Sequence, residues 1–359
     1  MASIIEDVEL KYFQLVKTEG FAKYAKDFAD RVQKVLCEGY EQKLNEPEIV
    51  EKITNNLNGL STSFNKVQIS TKGIFIHGNR SQVEFEYYGK KEQGELGDLI
   101  LILSVIYKGR KCFEKFTISQ FKKDNDKLRW DLSNRKQVYL LSSFPPFRGI
   151  KGSIIPMKTF NLPNYSGCLG SFNLLFRPGD FVFVSAPLLE RLVGNRKSID
   201  IVNISKFLEP PCYYFHYPIP FDLLHIEDLS YLWRKLCRHG MPISFFPPYV
   251  IGILGFSCSA SNIHEFVDKY LRGNIGELTY SDIGNYNAPA FDFLRELLSA
   301  IMKKAQKEEK TEFTDFINEF FKYPYSGQEG GIKEGVEFDY EGGGIGIIYT
   351  SIDLGKGKE

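Results

Sequence analysis

Glu95-Leu-Gly-Asp-Leu-Ile-Leu-Ile-Leu-Ser-Val-Ile-Tyr107 is followed by Lys108-Gly-Arg-Lys111 and then by Cys112-Phe-Glu-Lys-Phe-Thr-Ile-Ser-Gln-Phe-Lys-Lys123. Two runs rich in β-branched and aromatic residues flank a short polar turn containing Gly109, which predicts an antiparallel hairpin. Such a hairpin brings the start of its first strand beside the end of its second. Asp98 on one strand is therefore expected beside Gln120 and Lys122 on the other, and Gln120 and Lys122, two residues apart, point to one face. A carboxylate, an amide oxygen and an ammonium converge at the open end.

That set has a chemical reading. A carboxylate with a neighbouring oxygen ligand suits a hard divalent cation such as Mg²⁺ or Mn²⁺. A lysine beside the cation can orient a water and offset charge developing on a phosphoryl oxygen. Each residue alone also has an ordinary account, with Asp98 capping a turn after Gly97, and Gln120 and Lys122 on the solvated face of an edge strand. The functional reading gains from the register, because Asp98 opens an apolar strand at the depth where Gln120-Phe121-Lys122 closes its partner.

Asp98, an interval of about twenty residues, and then Gln120-Phe121-Lys122 resembles the PD-(D/E)XK nuclease superfamily, in the form where glutamine replaces the second acidic residue. The resemblance covers roughly residues 45 to 145. It implies a restriction endonuclease-like α/β (α+β) fold, a mixed sheet flanked by helices, and a metal-dependent endonuclease acting on DNA, of restriction or defence-associated type. It further implies catalysis by Asp98, Gln120, Lys122 and a glutamate from the helix that opens the core, with Asp98, Gln120 and that glutamate holding Mg²⁺ or Mn²⁺. Asn45-Glu46-Pro47 predicts the start of that helix, with Ile49, Val50, Ile53 and Leu57 on one face and a stop at Gly59. Among Glu46, Glu48 and Glu51, Glu51 is favoured, because Glu46 falls at the fraying end; first-turn acids also complement the helix dipole.

The rest of the chain is read around this core. Residues 4 to 43 predict one or two amphipathic helices broken near Gly20, with Phe21, Tyr24, Phe28 and Val32 at helical spacing. Strands are expected over Val67–Ser70, Gly73–His77 and Val83–Tyr88, and a helix over Asn134–Leu141, on which the resemblance implies a supporting polar residue, Gln137, while an ordinary helix-surface glutamine is the simpler account. The organisation expected is an N-terminal helical segment (1–44), a nuclease-like core (45–150) and an accessory α+β region (151–359). In that region strands are expected at Ser171–Phe176 and Phe181–Ser185, helices at Pro187–Leu192, Glu227–His239, Ile263–Leu271 and Pro289–Lys310, and a last strand after a glycine-rich segment near 327–345.

Composition bounds the partners. The 45 basic and 45 acidic residues give no net charge, so any phosphate-binding surface must be local. Abundant Phe (30) and Tyr (20) serve the core by default, and otherwise nucleic-acid stacking or a partner surface. The six cysteines have no zinc-like spacing and read as free thiols of a reducing compartment. The start of the chain lacks the organisation of a signal peptide, and the longest apolar run, Leu99 to Tyr107, is too short to span a bilayer, so a cytoplasmic protein without membrane contact is expected. Expected partners are a DNA substrate and a second copy or another protein chain, with the apolar face of the N-terminal helices packing on the body of the protein or on a second copy. The rival reading is a non-catalytic nucleic-acid or protein-binding module on a nuclease-like fold, since Gln120 contributes no charge to hold a cation unless Glu51, Glu95 or a substrate phosphate completes the site.

Overall fold

In the computed structural model, which describes residues 2–77, 81–124, 128–202, 204, 259–281, 287–307, 311–325 and 344–355, the quoted stretch folds as β5 (Leu99–Tyr107) and β6 (Arg110–Lys123). They pair antiparallel from Leu99 opposite Ser119 to Tyr107 opposite Arg110. Lys108 and Gly109 both take positive φ, 53° and 73°, the two-residue turn whose twist matches that of paired strands. Every residue of β5 is buried, because helices cover both faces of the sheet, and a strand covered on both faces reads as a continuous apolar run.

The sheet around this hairpin has nine strands among the described residues. From one edge it runs β1 (Ser61–Phe64), β2 (Val67–His77), β15 (Gly344–Asp353), β5, β6, β10 (Gly170–Phe176), β11 (Asp180–Ser185) and β13 (Ser259–Ala260), with β14 (Glu277–Ser281) on the outer half of β6. β15 is antiparallel to β2 and parallel to β5, and β10 is parallel to β6, so the sheet is mixed. A division at residue 150 does not describe this arrangement. β5 and β6 each need partners on both edges, and residues 45–124 supply only the hairpin itself; β15 covers the outer edge of β5, while β10 and β14 cover that of β6.

Alternation along β5 feeds two cores. Leu99, Leu101 and Leu103 pack with α2 (Glu19–Glu41), α3 (Glu46–Leu57) and α6 (Ile263–Leu271) through Phe28, Val50, Ile53 and Phe266. Ile100 and Ile102 face α4 (Arg135–Ser143), α5 (Ala186–Val193), α7 (Ala288–Lys307) and α8 (Thr311–Phe321) through Val138, Leu141, Leu189, Leu297 and Ile317. Each such side chain contributes about 1.5–3 kcal/mol on burial. On the second side also lies a small sheet of β3 (Gln82–Tyr87), β4 (Lys90–Glu95), β8 (Phe147–Gly149) and β9 (Thr159–Phe160), in the order β4-β3-β8-β9. Two short strands, β7 (Arg129–Asp131) and β12 (Ser198–Asp200), pair separately.

The break expected near Gly20 is present just before it: α1 (Ala2–Leu15) and α2 are separated at 16–18, where Thr18 caps α2. Gly20 itself lies in the first turn of α2, where a Cβ would stand 2.8 Å from the Phe64 ring. The break expected at Thr71-Lys72 is absent. β2 runs straight through it, and a Cβ on Gly73 would stand 2.2 Å from the Thr54 carbonyl oxygen, so that glycine admits a close neighbour where a turn was expected. The expected helix at Glu227–His239 and most of the glycine-rich segment lie outside the described residues. Among the described residues no helix is long and apolar enough to cross a membrane.

A buried ion pair marks the far end of the hairpin. Lys111 and Glu114 are fully buried, 2.9 Å apart, with Glu114 also accepting from Ser104 at 2.9 Å and Tyr325 at 3.0 Å. The Lys111 ammonium sits 3.4 Å from the Phe320 ring centroid, and burial holds its pKa below the usual lysine value.

Candidate functional site

Asp98 stands immediately before β5, and the backbone there is fixed from both sides. Its N–H donates to the Ser119 carbonyl at 2.9 Å, and its own carbonyl accepts from Gly346 at 2.8 Å. Gly97 allows this approach, since a Cβ there would stand 2.7 Å from Ile118 Cγ2. The Asp98 carboxylate is buried and accepts from the Phe121 backbone N–H at 2.7 Å and from the Gln120 amide. Gln120 in turn accepts from Gln137 Nε2 at 2.6 Å. Gln137 comes from the first turn of α4, which Asn134 caps by accepting from the Gln137 N–H.

One of the two glutamates on the cavity beside Asp98, Glu46, is the first residue of α3. Asn45 and Glu48 form a reciprocal capping box, Asn45 Oδ1 accepting from the Glu48 N–H at 3.0 Å and Glu48 Oε2 from the Asn45 N–H at 2.7 Å. This box stops the end from fraying, so Glu46 is held over the end of β6. Its carboxylate accepts from the Lys123 N–H at 2.7 Å and stands 3.7 Å from the Lys122 ammonium. Glu51, the residue favoured from the sequence, lies farther along α3, 3.5 Å from His77. Glu46 replaces Glu51 in the site because the helix meets the sheet end with its first turn.

Asp98, Gln120, Lys122 and Glu46 line one polar cavity of about 350 Å³ together with Glu95, Gln82 and Gln93 from the small sheet and Asn134 and Gln137 from α4. Burial pushes the Asp98 carboxyl up to about 7; the Phe121 N–H and the Lys122 charge oppose this, while Glu95 and Glu46 add to it. Burial also raises Glu95, against the pull of Lys122 and with a further push from Glu46. Three carboxylates and one lysine thus share a poorly solvated space, which favours proton retention or a bound cation. Gln82, Gln93 and Asn134 were not singled out from the sequence; they come from separate segments, and only the packing of the small sheet and α4 against β6 brings them in.

Among the described residues no three His, Cys, Asp or Glu side chains are grouped as a metal site. The donor chemistry still fits a hard cation. Asp98, Glu46 and Glu95 offer only oxygen, and Gln120 offers a carbonyl oxygen when its carboxamide turns over and exchanges donor for acceptor with Gln137.

No protein-family model, curated protein or solved structure matches the chain.

Proposed function

We propose that this chain is a divalent-cation-dependent DNA endonuclease with a restriction endonuclease-like core. The observation that carries the reading is the chain of contacts from Gln137 through Gln120 to a buried Asp98, opening on a cavity that also holds Lys122 and Glu46. The order α3, β2, β5, β6, α4, β10 supports the core assignment, and β15 between β2 and β5 is an addition to it.

Asp98, Glu46 and the Gln120 carbonyl oxygen would hold Mg²⁺ or Mn²⁺, which would supply Lewis-acid stabilisation of a phosphoryl oxygen. Lys122 faces the same volume and orients the attacking water, while its charge offsets that developing on the phosphate. Gln137 fixes the rotation of Gln120. Asp98, with its proton affinity raised by burial, releases its proton as a cation binds.

The test is cleavage of plasmid DNA by purified protein with Mg²⁺ or Mn²⁺. Asp98→Ala and Lys122→Ala are each expected to lose at least about 100-fold in rate while keeping the wild-type circular dichroism spectrum. Undiminished cutting by both variants would falsify the reading.

The second reading, a non-catalytic binding module, has one observation in its favour: Gln137, Lys122 and the Lys123 N–H already satisfy Gln120 and Glu46 without a cation. Metal titration separates the two. If the wild type binds neither Mg²⁺ nor Mn²⁺, with or without DNA, while Gln120→Glu does, the chain is a binding module.

A further inference from the structure

We infer that Lys122 gates the cavity: without substrate its ammonium stands in for the cation beside Glu46, and a DNA phosphodiester draws it away, so that cation and DNA each bind more tightly in the presence of the other. The inference rests on the reading of that cavity as a phosphodiester site, and it concerns how the site is regulated.

Most of the oxygens that would hold a cation are engaged by the protein's own donors. Asp98 Oδ2 accepts from the Phe121 N–H at 2.7 Å and from the Gln120 amide. Gln120 Oε1 accepts from Gln137 at 2.6 Å, and Glu46 Oε1 accepts from the Lys123 N–H at 2.7 Å. The other oxygen of Glu46, Oε2, faces the Lys122 ammonium at 3.7 Å. Among the described residues Lys122 is the one cation on the cavity wall, against the carboxylates of Glu46, Glu95 and Asp98. Burial raises the carboxyls of Asp98 and Glu95, and the Lys122 charge opposes that rise in both. It therefore acts on all three carboxylates at once.

The contacts differ in strength, which identifies the group that can leave. Phe121 and Lys123 donate from the backbone of β6, where strand pairing fixes them. The Lys122–Glu46 separation exceeds the reach of a hydrogen bond. Both side chains are partly exposed, where an ion pair is weak, and the lysine stem turns freely. Glu46 cannot follow the lysine, because the capping box steadies its helix and the Lys123 N–H holds its other oxygen.

Charge makes the two ligands mutually dependent. DNA alone would bring a phosphate against three carboxylates, which repel it. A cation alone would meet the Lys122 ammonium beside Glu46. When both enter, the phosphate takes Lys122, and Glu46 Oε2 with Asp98 is left to the cation. Each ligand removes the obstacle to the other, and the coupling must be equal in both directions. Lys123 has no part in this, since its ammonium donates to the Leu44 carbonyl at 2.9 Å.

The experiment is calorimetric titration of the full chain with Mn²⁺, alone and with a short duplex whose phosphorothioate linkages resist cutting, after subtraction of Mn²⁺ binding by the duplex itself. The duplex is expected to tighten Mn²⁺ binding by roughly 5- to 150-fold, and Mn²⁺ to raise duplex affinity, read by fluorescence anisotropy, by the same factor. Lys122→Met is expected to bind Mn²⁺ without DNA more tightly than the wild type and to lose the coupling. Lys123→Met, which removes one charge from the neighbouring residue, is expected to keep it. Four results overturn the gate: no Mn²⁺ binding by the wild type under either condition, equal binding with and without the duplex, coupling that survives Lys122→Met, or coupling lost as fully in Lys123→Met. Cleavage of the unmodified duplex, measured in parallel, keeps the two readings apart. Coupled binding without cutting leaves the gate and removes the nuclease, and cutting with uncoupled binding does the reverse.

Discussion

Asp98 makes the stability of this protein depend on pH in a direction opposite to that of a salt-bridged aspartate. Its carboxyl is 4% exposed and burial raises it from 3.8 to about 7. Below about pH 4 the folded and unfolded chains both hold the proton. Between about pH 4 and pH 7 the folded chain keeps it and the unfolded chain has released it, so stability falls as pH rises, and the penalty is complete above about pH 7. The rise corresponds to about 4 kcal/mol, of which about 2–3 kcal/mol falls between about pH 5 and pH 8. Asp98→Asn removes the titration, and the turnable carboxamides of Gln120 and Gln137 can accommodate the new amide. Urea unfolding of both proteins across this range measures the difference. The wild type is expected to lose about 2–3 kcal/mol relative to the variant as pH rises, and Mg²⁺ at the alkaline end is expected to restore the wild type alone. Glu95→Gln serves as a control, since Glu95 is raised for the same reason. Equal pH trends in the wild type and Asp98→Asn would refute the reasoning.

Glu46→Gln is expected to reduce metal-dependent cleavage by at least about tenfold, and Glu51→Gln to leave it near wild type; the reverse order would return the site glutamate to Glu51. Lys111→Met leaves Glu114 buried without its cation and is expected to cost about 3–5 kcal/mol, read by chemical denaturation, with Glu114→Leu in the same chain recovering much of the loss. A Cβ on Gly170 would meet the Leu141 carbonyl oxygen at 2.1 Å. Gly170→Ala is therefore expected to cost about 1–3 kcal/mol and, by displacing α4, to loosen Gln137 from Gln120, which a lowered thermal midpoint together with weaker metal binding would report.

The hairpin was legible in the sequence because its determinants are local. Two apolar runs and a Lys-Gly turn define the register, and the register alone brings Asp98 to the end of β6 that carries Gln120 and Lys122. The short helix that carries Gln137 was legible for a similar reason, but the place of Gln137 beside Gln120 was only what the resemblance implied. The glutamate was not, because the choice among Glu46, Glu48 and Glu51 depends on where α3 meets the sheet. The capping box that steadies Glu46 reads equally well as a plain helix start. The place of β15 was hidden more deeply. Residues 344–353 read as a strand from composition, but only the unfilled edges of β2 and β5 decide that it lies between them, more than 200 residues from either. Local sequence determines which segments are strands and helices and which residues share a face, whereas the partners of a face are set by whichever distant segment can bury it.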